Sequence, residues 1–305
     1  MRRGAGIDCG TNSIRLLIAD VDEEGRLHDV VRRMEVVRLG EGVDETGRLS
    51  KAALERTRAA LADYTAQIRD HGVEAVRMVA TSASRDAANA RDFTAMVESV
   101  LGVAPEVVSG EEEARLSFTG AVATLPEPAG QRLLVDIGGG STEFVRGAGT
   151  EVLAATSVDV GCVRMTERHL RSDPLVPAEV DAAVADIRAA VEGALAVADP
   201  DRTSGELVAV AGTATTIAGI ALELPAYDAD VIDGTRLSYE QVAKVTDGLV
   251  RADHAARLAI PVMHPGRADV IVGGALVLRT IMERCGADAV LVSEHDILDG
   301  IALSA

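Results

Sequence analysis

Apolar positions along the chain fall into short runs that are typical of strands and longer stretches with helical spacing. In the first half, AGIDCG and SIRLLIADV predict two strands joined by a short Gly-Thr-Asn turn, and RLHDVVRRMEVVRLG predicts a third strand. A helix is predicted from its N-cap at Ser50 to a stop at Gly72. Strands at 76–84 and 105–110 then alternate with helices at 88–101 and 111–125.

The second half repeats this order of elements. RLLVDIGG and STEFVRGAG predict two strands around a glycine turn, EVLAATSVDVG predicts a third, and a long amphipathic helix begins near Pro177. GELVAVAGTATTIAGIAL predicts a strand, a turn and a helix. A helix at 266–286, a strand at 289–294 and a short closing helix from Asp296 complete the pattern.

Three strands followed by alternating helices and strands, twice over, predict a particular α/β architecture. We expect two duplicated ribonuclease-H-like domains of the actin-like ATPase superfamily around a central cleft. The predicted domains are 1–125 and 126–305, divided near the Pro- and Gly-rich segment Thr124–Gln131, with the last helix (about 296–305) packing back on the first domain. A doubly wound dinucleotide fold is the alternative, but it needs a glycine turn from strand to helix, whereas both turns here join two strands.

Charge and composition narrow the possible partners. A net charge of −18 and an aromatic content of 2% argue against a nucleic-acid surface, which needs basic or base-stacking side chains. Cys9, Cys162 and Cys285 have no metal-ligand spacing, which predicts reduced thiols. No apolar run has membrane-spanning length and the N-terminus lacks the features of a signal peptide, so we expect a cytoplasmic protein without a membrane partner.

Two related motifs, 128 positions apart, carry the predicted chemistry. GIDCGTNSIRLLI contains Asp8 and LLVDIGGGSTEF contains Asp136, each at the end of an apolar run and before a turn of small residues. Successive N–H groups in such a turn can converge on phosphate oxygens, although an ordinary glycine hairpin is the alternative for either loop alone. The predicted phosphate-binding residues are Gly10, Thr11, Asn12, Ser13, Gly138, Gly139, Gly140, Ser141 and Thr142.

The same motifs predict a metal site. A carboxylate at the end of an apolar strand is costly to bury unless it meets a cation or hydrogen-bond donors. Mg²⁺ binds through one or two carboxylates together with waters and substrate phosphates, and we expect it here, with Mn²⁺ and a monovalent cation as alternatives. The predicted metal residues are Asp8, Asp136 and Glu143, the last of which lies two residues after Ser141.

Three further segments offer candidate residues. In VVSGEEEARLSF, acids at a helix start are either stabilising partners of the helix dipole or a source of a general base. Arg115 follows them and is predicted to bind phosphate or to orient the acid. In VATSASRDA, Arg85 follows a strand and can grip a phosphate. In AVAGTATTIAG, Gly212 and Thr213 begin a helix that either binds an anion, a nucleoside or a chain end, or packs closely.

Taken together, DCGTNSIRLLIAD, VATSASRDA, SGEEEARLSF, VDIGGGSTEF, DVGCVRMTE and AGTATTIAG resemble, in this order, the exopolyphosphatase and guanosine pentaphosphate phosphatase family. The resemblance implies that Glu113 is the general base and that Asp136 and Glu143 position metal and water. Arg85 matches the arginine of the family motif, and we predict that it is catalytic together with these three acids. By inspection alone the choice among Glu111, Glu112 and Glu113 stays open. Cys9 and Ser84 depart mildly from the family pattern.

The resemblance implies a short two-domain form, without the helical domain of longer members, and a homodimer. We expect hydrolysis of the terminal phosphoanhydride of inorganic polyphosphate, with release of orthophosphate, and a preference for short to moderate chains because the acidic surface repels polyanions. Hydrolysis of guanosine pentaphosphate is the close alternative, and guanosine tetra- or pentaphosphate can also act as a ligand or inhibitor. An actin-fold kinase or ATPase and a nucleotide-binding sensor are alternatives of other classes.

Overall fold

The computed structural model describes residues 1–126 and 130–305. The chain divides into two compact units, one formed by Met1–Ala123 with Asp296–Ala305 and the other by Thr124–His295. Residues 127–129 of the predicted break lie outside the described residues. No helix within the described ranges is both long and apolar enough to cross a membrane.

The first unit is built on a five-stranded sheet. Its elements are β1 (Arg2–Cys9), β2 (Ser13–Val21), β3 (Leu27–Val36), α1 (Val43–Thr46), α2 (Lys51–Asp70), β4 (Ala75–Ala80), α3 (Ser82–Asp86), α4 (Ala90–Leu101), β5 (Glu106–Val107) and α5 (Gly110–Val122). The strand order is β3-β2-β1-β4-β5, with β1 and β2 antiparallel and β1 and β4 parallel. Apolar side chains of the sheet and of helices α2 and α4, among them Ile7, Leu61 and Phe93, form its core.

Local signals explain two helix starts in this unit. Ser50 accepts a hydrogen bond from Ala53 N and caps α2, which confirms the predicted N-cap. The strand predicted at 76–84 is too long, because the chain leaves the sheet after Ala80 and turns into α3. The carbonyl of Thr81 accepts from the N–H groups of Ser84 and Arg85, so this short helix satisfies backbone groups that a longer strand would carry past the ends of its neighbours β1 and β5.

The second unit contains a six-stranded sheet. Its elements are β6 (Arg132–Ile137), β7 (Thr142–Ala148), β8 (Glu151–Val158), α6 (Cys162–His169), α7 (Pro177–Ala198), β9 (Glu206–Val210), α8 (Ala211–Ala221), α9 (Ala229–Ile232), β10 (Arg236–Ser238), α10 (Tyr239–Arg251), α11 (His254–Leu258), α12 (Ile271–Cys285) and β11 (Ala289–Val292), with a 3₁₀ turn at Pro265–Arg267. The strand order is β10-β11-β9-β6-β7-β8. The core is almost entirely aliphatic, and the paired helices α7 and α12 contribute Ile187, Val191, Leu278 and Ile281.

The sequence patterns misplace two elements of this unit. No turn separates β9 from α8, because Ala211 reverses the chain in a single residue with φ of 66°, a left-handed conformation that non-glycine residues adopt at a cost. The helix predicted from Gly266 begins only at Ile271, after the 3₁₀ turn.

The two sheets share one plan. In each, two antiparallel neighbours are followed by a strand that pairs in parallel with the first, so β3-β2-β1-β4 corresponds to β8-β7-β6-β9. This correspondence confirms the predicted α/β fold with a duplicated strand order. It also places the two Asp-containing strand ends, at Asp8 and Asp136, in equivalent positions of their own sheets.

The last helix, α13 (Ile297–Leu303), belongs to the first unit and packs on β1 and α5. Its crossing with α5 is close because glycines meet backbone there. A Cβ on Gly120 would lie 1.9 Å from the carbonyl oxygen of Asp296, and one on Gly300 would lie 2.1 Å from that of Leu116. Neither position tolerates a side chain unless the helices separate.

Candidate active site

The two predicted phosphate loops have the same backbone hydrogen bond. In the first, Gly10 N donates to Ser13 O at 2.9 Å, and in the second, Gly138 N donates to Ser141 O at 3.0 Å. Gly10 and Gly138 are 128 positions apart, as are Ser13 and Ser141, and this is also the separation of Asp8 and Asp136. The structure therefore repeats this turn in both units as one local conformation.

Carbonyl groups of both loops accept hydrogen bonds from a neighbouring segment of the chain. Asn12 O accepts from Val37 N and Arg38 N, at 3.1 and 2.8 Å. In the second unit Cys162 N donates to Gly138 O at 3.0 Å, and Gly139 O accepts from the next two amides of α6 at 2.9 and 3.1 Å. The side chain of Arg164 adds a 2.7 Å bond from Nε to Gly140 O. Hydrogen bonds from residues 37–38 and from α6 thus fix carbonyl groups of the first and the second loop.

The amide groups of the loops remain available. In the described part of the chain, the N–H groups of Thr11, Asn12, Gly139 and Gly140 donate no hydrogen bond to the protein. Consecutive amides without acceptors, in a turn whose carbonyls are held elsewhere, form a nest suited to an anion. Gly161 allows this in the second unit, since a Cβ there would lie 2.5 Å from Gly139 O.

Asp136 and Glu143 form a pair of opposed carboxylates. They are direct partners on the antiparallel strands β6 and β7 and are 5% and 1% exposed. Side chains at such positions have Cβ atoms roughly 5 Å apart on one face of the sheet. Ser157 on β8 donates its hydroxyl to Glu143 Oε1 at 2.7 Å. The structure thus brings together two of the three residues predicted to hold metal.

This donor set fits Mg²⁺ or Mn²⁺. Carboxylate oxygens are the ligands of hard cations, and Mg²⁺ needs only one or two of them in addition to waters and phosphates. Among residues 1–126 and 130–305, no three His, Cys, Asp or Glu side chains gather as a metal-binding group. The pair of Asp136 and Glu143 is consequently a better match for Mg²⁺ than for Zn²⁺, which takes three or four nitrogen or sulfur ligands.

Asp8 has a different environment from Asp136. Its Oδ2 accepts from Nη2 and Nε of Arg15, at 2.7 and 2.9 Å, and the residue is 5% exposed. Burial raises the pKa of the Asp8 carboxyl, and the Arg15 guanidinium opposes that rise. Arg15 has a second partner, Asp296, whose Oδ2 accepts from Arg15 Nη1 at 2.5 Å. Sequence patterns did not mark Arg15, because its second partner is 281 positions away.

The three acids at the start of α5 differ in how deeply their side chains are buried. Ser109 caps the helix by accepting from Glu112 N at 3.2 Å. The side chains of Glu111 and Glu112 are 63% and 46% exposed, whereas that of Glu113 is 10% exposed. The buried acid therefore coincides with the residue that the family resemblance implies.

Arg85 lies against Glu113. Its Nη1 donates to Glu113 Oε2 at 3.1 Å and to the carbonyl of Val108 at 2.9 Å. In the described chain, Nε and Nη2 of Arg85 donate to no protein group. The guanidinium is thus fixed through one nitrogen and keeps three N–H donors for an anion.

A model of the Ppx/GppA phosphatases matches residues 17–305, nearly the whole chain. The chain belongs to the Ppx/GppA phosphatase family. Exopolyphosphatase 2 of Mycobacterium tuberculosis is 49% identical to it, in an alignment that covers 100% of this chain and 98% of the relative. The predicted family is thereby confirmed.

Solved structures agree with this membership. The crystal structure of an exopolyphosphatase-like protein is 42% identical, with a TM-score of 0.94 over 99% of this chain and 98% of that one. An exopolyphosphatase from Cytophaga hutchinsonii is 27% identical, with a TM-score of 0.87 over 98% of this chain and 96% of that one. Both likenesses extend over both sheets.

In this Ppx/GppA chain, two of the segments predicted to bind phosphate, Arg115 and the start of α8, make contacts within the protein. Arg115 pairs with Glu111 Oε1 at 3.0 Å on an exposed helix face, so its nearest partner is not the buried acid. Gly212 lies under the Arg267 guanidinium, whose Nη1 donates to Gly212 O at 2.9 Å, and a Cβ on this glycine would lie 2.2 Å from Nη2. Thr213 is 4% exposed. Close packing therefore explains both residues at the start of α8, and their phosphate-binding role stays a prediction.

Proposed function

We propose that this chain hydrolyses the terminal phosphoanhydride bond of inorganic polyphosphate and releases orthophosphate. The observation that carries the proposal is the duplicated loop, whose amides at Thr11, Asn12, Gly139 and Gly140 have no acceptor in the described protein. Donors of this kind bind the oxygens of transferring phosphoryl groups. The choice of polyphosphate is supported by the name of the 49% identical relative, Exopolyphosphatase 2.

Glu113 is proposed as the general base. Its side chain is 10% exposed, and the Nη1 donor of Arg85 holds one of its carboxylate oxygens. A carboxylate fixed in this way can accept a proton from water as that water attacks phosphorus. Phosphoryl transfer needs little covalent help from the protein, so orientation and charge carry most of the rate.

Asp136 and Glu143 are proposed to hold Mg²⁺, with Mn²⁺ as the alternative. Both side chains are buried and opposite one another on neighbouring strands. A divalent ion at these carboxylates would supply positive charge next to bound phosphate. The protein's own contribution is to fix the carboxylate oxygens, which Ser157 does for Glu143 through a 2.7 Å hydrogen bond.

Short to moderate polyphosphate chains are the proposed substrates. The protein carries a net charge of −18. Repulsion between this charge and a long polyanion slows association, whereas a short chain can be held by local N–H donors such as those of the first loop or of Arg85. Rates that rise with salt for long chains, and less so for short ones, would support this part of the proposal.

The deciding experiment measures orthophosphate release with Mg²⁺ from short polyphosphate, long polyphosphate, guanosine pentaphosphate and ATP, without any acceptor. We expect the highest kcat/KM with polyphosphate. A higher value with guanosine pentaphosphate would support the proposed hydrolysis reaction but make guanosine pentaphosphate, and not polyphosphate, the preferred substrate. ATP that is stable alone but consumed once a sugar or other acceptor is added would favour a kinase, and nucleotide-dependent assembly without turnover would favour a sensor. Native mass measurement tests the expected homodimer.

A further inference from the structure

Arg15 joins three parts of the first unit. It faces Asp8 directly across the antiparallel pair β1 and β2, so the two residues flank the base of the first phosphate loop. Two of its nitrogens bind Asp8 Oδ2 at 2.7 and 2.9 Å, and the third binds Asp296 Oδ2 at 2.5 Å. Asp296 is 281 positions away, at the start of the returning segment 296–305.

This buried group contains one guanidinium and two carboxylates, so the positive charge of Arg15 is shared by Asp8 and Asp296. Asp8 and Asp296 are 5% and 1% exposed, and the Arg15 side chain is 19% exposed. Burial alone would lower the pKa of Arg15, but the carboxylates of Asp296 and Asp8 raise it well above its ordinary value. Removing the guanidinium would leave two buried carboxylates close together, which is strongly unfavourable.

The contacts continue from Asp296 toward Glu113. Asp296 caps α13 by accepting from Leu298 N at 3.0 Å, and Asp299 bonds back to Asp296 N at 3.0 Å. The same end of α13 touches α5, since a Cβ on Gly120 would lie 1.9 Å from Asp296 O. Glu113 lies two turns before Gly120 on this helix. Arg15 is thus linked through packed backbone to both the loop and the helix that carries Glu113.

We propose that Arg15 is a positioning residue that fixes Asp8 beside the first phosphate loop and locks segment 296–305 to it, so that Asp8 serves as an anchor and not as a metal ligand. The proposal rests on the proposed function for its kinetic test. It leaves the metal to Asp136 and Glu143, whose buried carboxylates lie opposite one another on β6 and β7.

A second arginine provides a matched control. Arg32 on β3 also binds α13, with Nη2 donating to Asp299 Oδ1 at 2.5 Å. Its side chain is 34% exposed, and in the described part of the chain its side-chain hydrogen bonds go to Asp29 and Asp299 and not to Asp8 or the first loop. Arg32→Gln therefore removes an ion pair to the same helix without disturbing the loop.

The kinetic test compares Arg15→Gln, Arg15→Lys, Asp296→Asn and Arg32→Gln with wild type. Because small displacements of catalytic groups cost up to about 100-fold in rate, we expect Arg15→Gln to lower kcat by roughly 10- to 100-fold with KM changed less than about threefold. Arg15→Lys should recover part of kcat. Asp296→Asn keeps a capping side chain and should lower kcat in the same direction. Arg32→Gln should lower thermal stability while kcat stays near wild type.

The binding test does not depend on turnover. Mn²⁺ affinity, measured by electron paramagnetic resonance, should change less than about threefold in Asp8→Asn and fall by at least about tenfold in Asp136→Asn. Orthophosphate affinity, measured by calorimetry, should fall in Arg15→Gln and not in Arg32→Gln. If wild type hydrolyses no polyphosphate but these binding results hold, the proposed function fails and the positioning role stands.

Two results would overturn the inference. Equal loss of Mn²⁺ affinity in Asp8→Asn and Asp136→Asn would make Asp8 a ligand. Equal effects of Arg15→Gln and Arg32→Gln on kcat and orthophosphate affinity, at matched thermal stability, would reduce Arg15 to a structural ion pair. Arg15→Lys and Asp296→Asn decide the matter if Arg15→Gln does not fold.

Discussion

The Arg85 guanidinium lies 3.1 Å from Glu113 Oε2, and the same nitrogen also bonds the carbonyl of Val108 at 2.9 Å. The ion pair is therefore held to the backbone just before α5. This arrangement fixes one oxygen of a buried carboxylate and presents the other nitrogens of the arginine to a ligand.

Glu113→Gln should lower kcat for polyphosphate by about 10²- to 10⁴-fold, because a general base contributes about that factor. KM should change far less, and thermal stability should remain near wild type, since glutamine keeps the shape of the side chain. Orthophosphate release at saturating polyphosphate measures this effect. Glu111→Gln and Glu112→Gln, at exposed neighbours, should stay within about threefold of wild type. A large loss of kcat in Glu111→Gln or Glu112→Gln, with Glu113→Gln active, would assign the general base to that neighbour instead.

Arg85→Lys should impair both substrate binding and rate. Lysine supplies a point charge without the planar fork of arginine, and it cannot bond Val108 O and Glu113 while also facing a phosphate. We expect kcat/KM to fall by at least about tenfold, which corresponds to about 1.4 kcal/mol. Arg58→Lys, in an exposed pair with Glu55, is the control and should have wild-type kinetics. A wild-type value of kcat/KM in Arg85→Lys would show that Arg85 has no role in substrate binding or catalysis.

Mg²⁺ should raise the melting temperature of the wild-type protein, because a ligand that binds only the folded state stabilises it. At a concentration of 100 times its Kd, the gain is about 2.7 kcal/mol. Asp136→Asn and Glu143→Gln should abolish most of this gain, and Ser157→Ala, which removes the 2.7 Å bond to Glu143, should reduce it partly. Scanning calorimetry with and without Mg²⁺ measures the difference. An unchanged Mg²⁺ effect in Asp136→Asn would exclude this pair as the metal site.

Gly161→Ala should weaken both folding and phosphate binding. The new methyl group would lie 2.5 Å from Gly139 O and 2.8 Å from Gly138 O, so the glycine loop or α6 must shift. Overpacking of this kind costs about 1–3 kcal/mol. Gly193→Ala, in α7 with open space around it, is the matched control and should raise stability by up to about 1 kcal/mol. Urea unfolding and orthophosphate calorimetry report the two effects, and full phosphate affinity in Gly161→Ala would show that the loop tolerates the shift.

The Cys162 thiol should be unreactive at neutral pH despite its position at the start of α6. Burial raises its pKa to about 11, although Arg267 acts in the opposite direction. A thiol with that pKa is about 0.1% ionised at pH 8, and its alkylation should rise about tenfold for each pH unit until pH approaches 11. Iodoacetamide labelling followed by mass spectrometry measures this rate for Cys162, with urea-unfolded protein as the fully reactive control. Labelling of the folded protein at pH 7 as fast as in urea would contradict the buried environment.

Local patterns predicted the strands and loops well. The spacing of Asp8 and Asp136, each before a turn of small residues, predicted two equivalent strand-to-strand loops, and the structure contains the same hydrogen bond in both. Ser50 predicted the start of α2 because capping depends on neighbouring residues. Such features need only the few residues on either side of them.

Features that depend on distant contacts were not predictable. Helix α6 was missed because its eight residues contain Arg164, Glu167 and Arg168 and have no long apolar face. Its role comes from hydrogen bonds between its first amides and the carbonyls of a loop about 24 residues earlier. Inspection could not choose Glu113 among three acids, because the choice depends on which side of α5 is buried. Likewise, the Arg15 bond to Asp296 leaves no sign in either local sequence.

The return of segment 296–305 to the first unit has a consequence for synthesis on the ribosome. Helix α13 covers α5 and β1, and Arg15 and Arg32 bind its aspartates. These partners leave the exit tunnel only after the whole of Thr124–His295 has been translated. During that interval the first unit carries an uncovered apolar surface, and Arg15 and Arg32 each lack one carboxylate partner. The first unit, although it is translated first, should therefore become protease-resistant only when segment 296–305 has also been released.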